Sequence, residues 1–85
     1  MTSYTVQISK KAERQLDKLS DHIALPIFKA IEKLSENPRP NGSIKLKERD
    51  GYRIRVGNYR VIYEIFDKVL LVDVIAIGDR KEIYE

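Results

Sequence analysis

The chain contains no cysteine, which excludes disulfides, thiolate nucleophiles and cysteine-ligated metals and is consistent with a reducing compartment. Histidine occurs once, as His22, at the start of a predicted helix and far in sequence from any acid cluster with ligand spacing. It reads as a surface or capping residue. Metal sites need several convergent His, Cys, Asp or Glu side chains, so no metal or other cofactor is expected. The four glycines punctuate turns and form neither a phosphate-binding loop nor a nucleophile elbow. No apolar run approaches the roughly 20 residues of a membrane span, and the N-terminus lacks the basic-then-apolar order of a signal peptide. A cytoplasmic protein with no membrane partner is expected. Its 85 residues read as one domain, 1–85, near the size where a single core is marginal and a binding partner helps.

What the chain does have is positive charge in one place. The net charge is +3, yet residues 39–60 carry seven Lys or Arg against two Asp or Glu, a local +5 that leaves −2 for the remainder. Such a concentrated stretch is the electrostatic footprint of nucleic-acid binding. Inside it Tyr52, Ile54 and Val56 alternate with Arg53 and Arg55, and a period of two puts the two sets on opposite faces of a strand. Gly57-Asn58 is a two-residue hairpin signal. It predicts Val56 facing Tyr59 and Arg55 facing Arg60, with Arg53 further along the same surface. Like charges directly across a ladder are unfavourable, so a chain that places them there points to an anionic ligand. If Asp67-Lys68 forms a second two-residue turn, Ile62 faces Asp73, and one carboxylate lies beside the arginines.

The remaining elements follow from periodicity. Tyr4, Val6 and Ile8 alternate with polar residues in a short strand. Ser9 offers an N-cap, and Ala12, Leu16 and Leu19 make the apolar stripe of a first helix. Ile23, Ile27, Ile31 and Leu34 form that of a second, so the two helices make a hairpin over one sheet face. Pro26 conflicts with a helix interior, which predicts that this helix starts late or bends there. Asn37 to Gly42 is a loop. Ile44 to Lys47 reads as a short strand with its lysines outward, serving either ligand contact or protection of a sheet edge. Val69 to Ile77 suits a central strand, and Arg80 to Glu85 forms a short polar tail. Two helices inserted after the first of five strands make a two-layer α+β fold.

With these residue types, chemistry must rest on Arg, Lys and Tyr. Arginine can stabilise the extra negative charge of a phosphorane-like transition state through bidentate contacts. RNA supplies its own nucleophile in the 2′-hydroxyl, so an enzyme need only orient, deprotonate and stabilise. A phosphate-binding surface without turnover is the alternative, because arginine is a poor proton acceptor. Tyr52, Tyr59 and Tyr63 share the face opposite the arginines and read as core, whereas Tyr84 is not needed for packing.

The segments KLKERDGYRIRVGNYRVIYEI and VDVIAIGDRKEIY, the opening YTVQISKKAERQLDKL and the helix end ENPRP together resemble the RelE/ParE superfamily of bacterial and archaeal toxins. The resemblance implies a strand, a helical hairpin and a curved antiparallel sheet with a short C-terminal segment. RelE-like members are ribosome-dependent endoribonucleases that enter the decoding site and cut messenger RNA by 2′-hydroxyl attack. ParE-like members poison DNA gyrase and lack the basic and tyrosine set. Carried across residue by residue, the RelE pattern makes Arg60 and Arg80 the clamp on the scissile phosphate. Arg53 and Arg55 hold the backbone and favour 2′-hydroxyl deprotonation, and Tyr84 stacks on or orients the target base. Lys45, Lys47 and Arg49 would contact RNA phosphates more generally. Relatives often carry lysine where Arg53 and Arg55 stand and histidine where this chain has Asp79. The implied partners are the ribosome with its messenger and a cognate antitoxin that wraps the domain. The toxin–antitoxin complex is expected to bind operator DNA through the antitoxin.

Overall fold

The computed structural model describes residues 3–79. Its elements are β1 (Thr5–Ile8), α1 (Lys10–Asp17), α2 (Asp21–Lys33), β2 (Ile44–Lys45), β3 (Tyr52–Val56), β4 (Tyr59–Phe66), a 3₁₀ turn (Asp67–Val69) and β5 (Leu71–Asp79). They form a five-stranded sheet in the order β1-β5-β4-β3-β2. β1 joins β5 in parallel, and the other pairs are antiparallel. The helices carry the connection from β1 to β2, so that β1 lies beside the last strand and β5 is paired on both sides.

The core lies between the helices and one sheet face. Ala12, Ile27, Ile31 and Leu34 pack against Ile54, Val61, Tyr63, Val72, Val74 and Ile77. The predicted stripes account for the helical half of this list. α2 starts at Asp21 and runs through Pro26, so the late start, one of the two outcomes expected, does not occur. Proline removes one hydrogen bond, to the carbonyl of His22, and both residues are exposed, so water can serve that carbonyl. The buried contacts of Ile27 and Ile31 hold the helix together on its other side.

Ser9 links α1 to the sheet. Its Oγ accepts from the Ala12 backbone N–H at 3.1 Å, as an N-cap, and donates to the Ile75 carbonyl at 2.9 Å. Ile75 is the extra residue of a β-bulge: Tyr63 pairs with Val74 and Ile62 with Ala76. The bulge rephases β5, so Ile77 returns to the main core. Ala76 and Ile75 instead join Leu46 and Ile62 in a second apolar cluster on the opposite face. β1 ends opposite Val74, and beyond it Gln15 of α1 covers β5, accepting from the Ile77 N–H at 2.7 Å.

The loop before β2 is clasped to the far end of the sheet. Arg39 makes a bidentate ion pair with Asp67, at 2.8 and 3.2 Å, and donates through Nε to the Tyr52 hydroxyl at 3.2 Å. Tyr4 donates to the same Asp67 carboxylate at 2.6 Å. The buried Tyr63 hydroxyl donates to the Pro38 carbonyl at 2.8 Å. The predicted two-residue turn at Asp67-Lys68 is replaced by a connection that ends at Leu70 in the left-handed region (φ 51°). Together with the bulge this moves the register: Ile62 faces Ala76, and Asp73 faces Glu64.

Candidate functional site

The hairpin of β3 and β4 positions the candidate residues as its turn chemistry requires. Gly57 has φ 61°, as the first central residue of a type II′ turn does, and Val56 pairs with Tyr59. Arg55 is therefore directly opposite Arg60, and Arg53 is opposite Ile62. All three arginines are on the sheet face that turns away from the helices, since their strand neighbours Ile54 and Val61 belong to the main core.

Each arginine has a different setting. Arg55 is exposed at the hairpin end, whereas Arg60 is half-buried with Gly78 as its other cross-strand neighbour. Arg53 is only 8% exposed and lies in register between Ile44 and Ile62, so its aliphatic stem takes part in packing while its charge stays on this face. The Nε atoms of Arg53 and Arg60 are both buried. Held in this way, the two side chains keep less rotational freedom to lose when they meet a ligand.

The three other basic residues fall elsewhere. β2 is two residues long, and Lys45 pairs with Tyr52, which puts it on the opposite side of the sheet from Arg53. Ile44 takes the place beside the arginines. Lys47 and Arg49 are exposed in the link between β2 and β3. The expected strand from Ile44 to Lys47 is shorter, Ile44–Lys45; beyond it the Leu46 N–H still bonds to the Gly51 carbonyl at 3.0 Å and its side chain joins the second apolar cluster. Arg80 and Tyr84 lie outside the described residues.

The carboxylate expected beside the arginines is displaced to the other end of the same face. There Asp73 and Glu64 oppose each other, and Asp73 Oδ1 is buried without a hydrogen-bond partner among the described residues. The face is thus bipolar: arginines at the hairpin end, the apolar row of Leu46, Ile62 and Ala76 in the middle, and two acids beyond. Nothing in the sequence signals this separation, because it depends on Leu70 adopting a conformation rare for leucine. His22, read from sequence as a surface or capping residue, is exposed and lines a cavity with Val56, Gly57, Asn58 and Tyr59 at the hairpin tip.

The perturbed titrations belong to the clasp. The Arg39 guanidinium, and then the Tyr4 hydroxyl, hold the Asp67 carboxyl down to about 2. In return the bond to Asp67 raises both Tyr4 and Arg39. Burial pushes the Tyr63 phenol up to about 12, which keeps it a neutral donor. No group of three or more His, Cys, Asp or Glu is placed to hold a metal ion among the described residues, and none of their helices is long and apolar enough to cross a membrane.

A small α+β domain with a helical hairpin on one sheet face and crowded arginines on the other defines a class of toxin folds. Residues 6–84 match the family described as the ParE toxin of the type II toxin-antitoxin system, parDE. The chain belongs to this toxin family and is RelE-like. It is 32% identical to toxin RelG of Mycobacterium tuberculosis, with 95% of each chain covered. It is 26% identical to the mRNA interferase toxin RelE of Escherichia coli, covering 96% of this chain and 90% of the relative. Among solved structures it is similar to the toxin–antitoxin complex RelBE2 of M. tuberculosis, with a TM-score of 0.81 at 27% identity, covering 92% of this chain and 99% of the other.

Proposed function

We propose that this protein is a ribosome-dependent endoribonuclease that cuts translated messenger RNA by attack of the 2′-hydroxyl on the adjacent phosphate. The observation that carries this reading is the pairing of Arg55 with Arg60, with Arg53 on the same face. Three permanent cations there can grip a phosphate and meet the charge that develops on it in the transition state. The names of relatives support it: the E. coli relative is an mRNA interferase. In this reading Arg60 and Arg80 clamp the scissile phosphate. Arg53 and Arg55 hold the flanking backbone and lower the cost of forming the 2′-alkoxide, and Tyr84 stacks on the target base. Lys47 and Arg49 add exposed charge toward ribosomal RNA. Lys45, on the other side of the sheet, can only do so from the edge.

The reaction needs no external nucleophile. The 2′-oxygen bonds to phosphorus as the bond to the 5′-oxygen breaks, leaving a 2′,3′-cyclic phosphate and a 5′-hydroxyl. The 2′-proton leaves to a base, and the 5′-oxygen gains one. A cognate antitoxin that covers the arginine face with acidic or apolar groups restrains this activity, and binding would also stabilise the small fold. The similarity to a toxin–antitoxin complex supports such a partner. We assign operator DNA binding by the pair to the antitoxin, and the toxin itself to the cytoplasm.

Primer extension on a messenger during induced expression tests the proposal. Cuts confined to translated codons are expected, and uncut messenger with arrested growth would overturn it. The description of the matching family as ParE favours a second reading, a DNA gyrase inhibitor without turnover. Inhibition of purified gyrase with messenger left intact would establish that one instead.

A further inference from the structure

We propose that the cavity under the tip of the β3–β4 hairpin is a nucleobase site serving a nucleotide next to the backbone phosphates held by Arg55 and Arg60. The inference rests on the arginine face holding RNA. The cavity measures about 260 Å³ and is lined by His22, Ile23, Pro26, Val56, Asn58 and Tyr59, together with Gly57. Its walls are mostly apolar, and Tyr59 supplies an aromatic ring. A flat heterocycle with a polar edge suits such a space, because base–aromatic stacking tolerates any sequence while rim groups read the edge.

The rim carries two such groups. The Asn58 amide offers both a donor and an acceptor. His22 Nδ1 lies 3.2 Å from Ser20 Oγ; when that hydroxyl donates to Nδ1, the imidazole proton sits on Nε2 and can be donated to a ring nitrogen or carbonyl.

Continuity with the arginines identifies the occupant. A smaller cavity lined by Arg55, Gly57, Asn58, Tyr59 and Arg60 shares Gly57, Asn58 and Tyr59 with the base cavity. Only a two-residue turn separates them, and Gly57 at its crest has no side chain to block a strand that crosses. Because the two cavities share the residues of that turn, a phosphate on the arginine side and a base on the helix side can belong to one stretch of RNA that crosses it. A lone apolar side chain of a protein partner would fill the cavity but would gain nothing from the guanidinium pair beside it.

The test uses a fluorescent RNA hexamer with 2′-O-methyl groups throughout, which cannot be cut, so binding is read independently of catalysis. An abasic residue is moved through its positions one at a time, and affinity is measured at fixed low salt. One position is expected to weaken binding about tenfold, the size of one base–aromatic stack, with the others nearly silent. In Tyr59→Leu that position should lose its effect. If this variant does not fold, the methyl resonances of Ile23 and Val56 in the unaltered protein provide the same reading: they should shift with the intact hexamer and not with the one abasic at that position. Small, even losses at every position with no methyl shift would overturn the base site while leaving the arginine face intact. Failure of any hexamer to bind would remove both.

Discussion

Arg55 and Arg60 stand directly opposite each other on two antiparallel strands, at the second pair from the hairpin turn. Like charges in that position oppose sheet formation, yet the adjoining Val56–Tyr59 pair and the Gly57 turn place them there. Replacing Arg60 with Ala should relieve growth arrest with little change in the urea midpoint, since the residue is outside the main core. Arg55→Gln should lower the salt dependence of single-stranded RNA binding by about 0.7 in log–log slope, the share of one phosphate contact. Full toxicity in the Arg60 variant would remove the clamp.

Tyr84 is proposed to act through its ring. Tyr84→Phe should then keep most of the cleavage rate, whereas Tyr84→Ala should lose about tenfold or more, as a missing base stack does. Equal losses in single-turnover cleavage would assign the role to the hydroxyl.

Asp67 links stability to acid. Its carboxyl lies at about 2 in the folded protein, against an ordinary value of 3.8. A carboxyl depressed by folding contributes stability that is complete above the unfolded value and lost as pH falls through the folded one. Urea midpoints should therefore decline between about pH 4 and 2. Asp67→Asn should be less stable at pH 7 and show a shallower decline over that window. Because Arg39 and Asp67 are both exposed, the effect should shrink in high salt. Parallel pH curves for the two proteins would show that the clasp contributes nothing.

Gly51 is required by its surroundings. Its φ is 133°, and a Cβ there would lie 3.0 Å from the Tyr63 carbonyl oxygen on the neighbouring strand. That oxygen is backbone and cannot give way cheaply. Gly51→Ala should cost more than about 1 kcal/mol, measured by urea unfolding, and should disturb the entry to β3 just before Arg53.

Ser9 joins a helix cap to the bulge that sets the phase of β5. Ser9→Ala removes the acceptor for Ala12 and the donor to Ile75 together. A loss of about 1–2 kcal/mol is expected. Hydrogen exchange should quicken at Ile75 to Ile77 before it does at the hairpin. Thr at this position should recover most of the loss.

Much of the architecture is legible in local pattern. The helical stripes, the N-cap at Ser9 and the alternation in Tyr52 to Val56 each depend on residues within a few positions of one another. Gly57-Asn58 encodes its own turn, and once that turn is set the Arg55–Arg60 pair has only one register. Asp67-Lys68 looks equally suited to a short turn but does not form one. There the chain takes a longer path through Leu70, held by the bonds that Arg39 and Tyr4 make to Asp67, from residues 28 and 63 positions away.

The sequence alone therefore determined the strand and helix types, the absence of thiol chemistry and the gathering of Arg53, Arg55 and Arg60 on one face, because backbone period and turn geometry are local properties. Tertiary structure decided where the acids stand relative to those arginines, which face Lys45 takes, and that His22 comes to line a cavity with Tyr59. The first depends on the Leu70 connection and on the bulge at Ile75, which Ser9 holds from 66 residues away, the second on the pairing of Lys45 with Tyr52, and the third on α2 packing beside the hairpin. A contact between segments so distant along the chain exists only once the fold has closed.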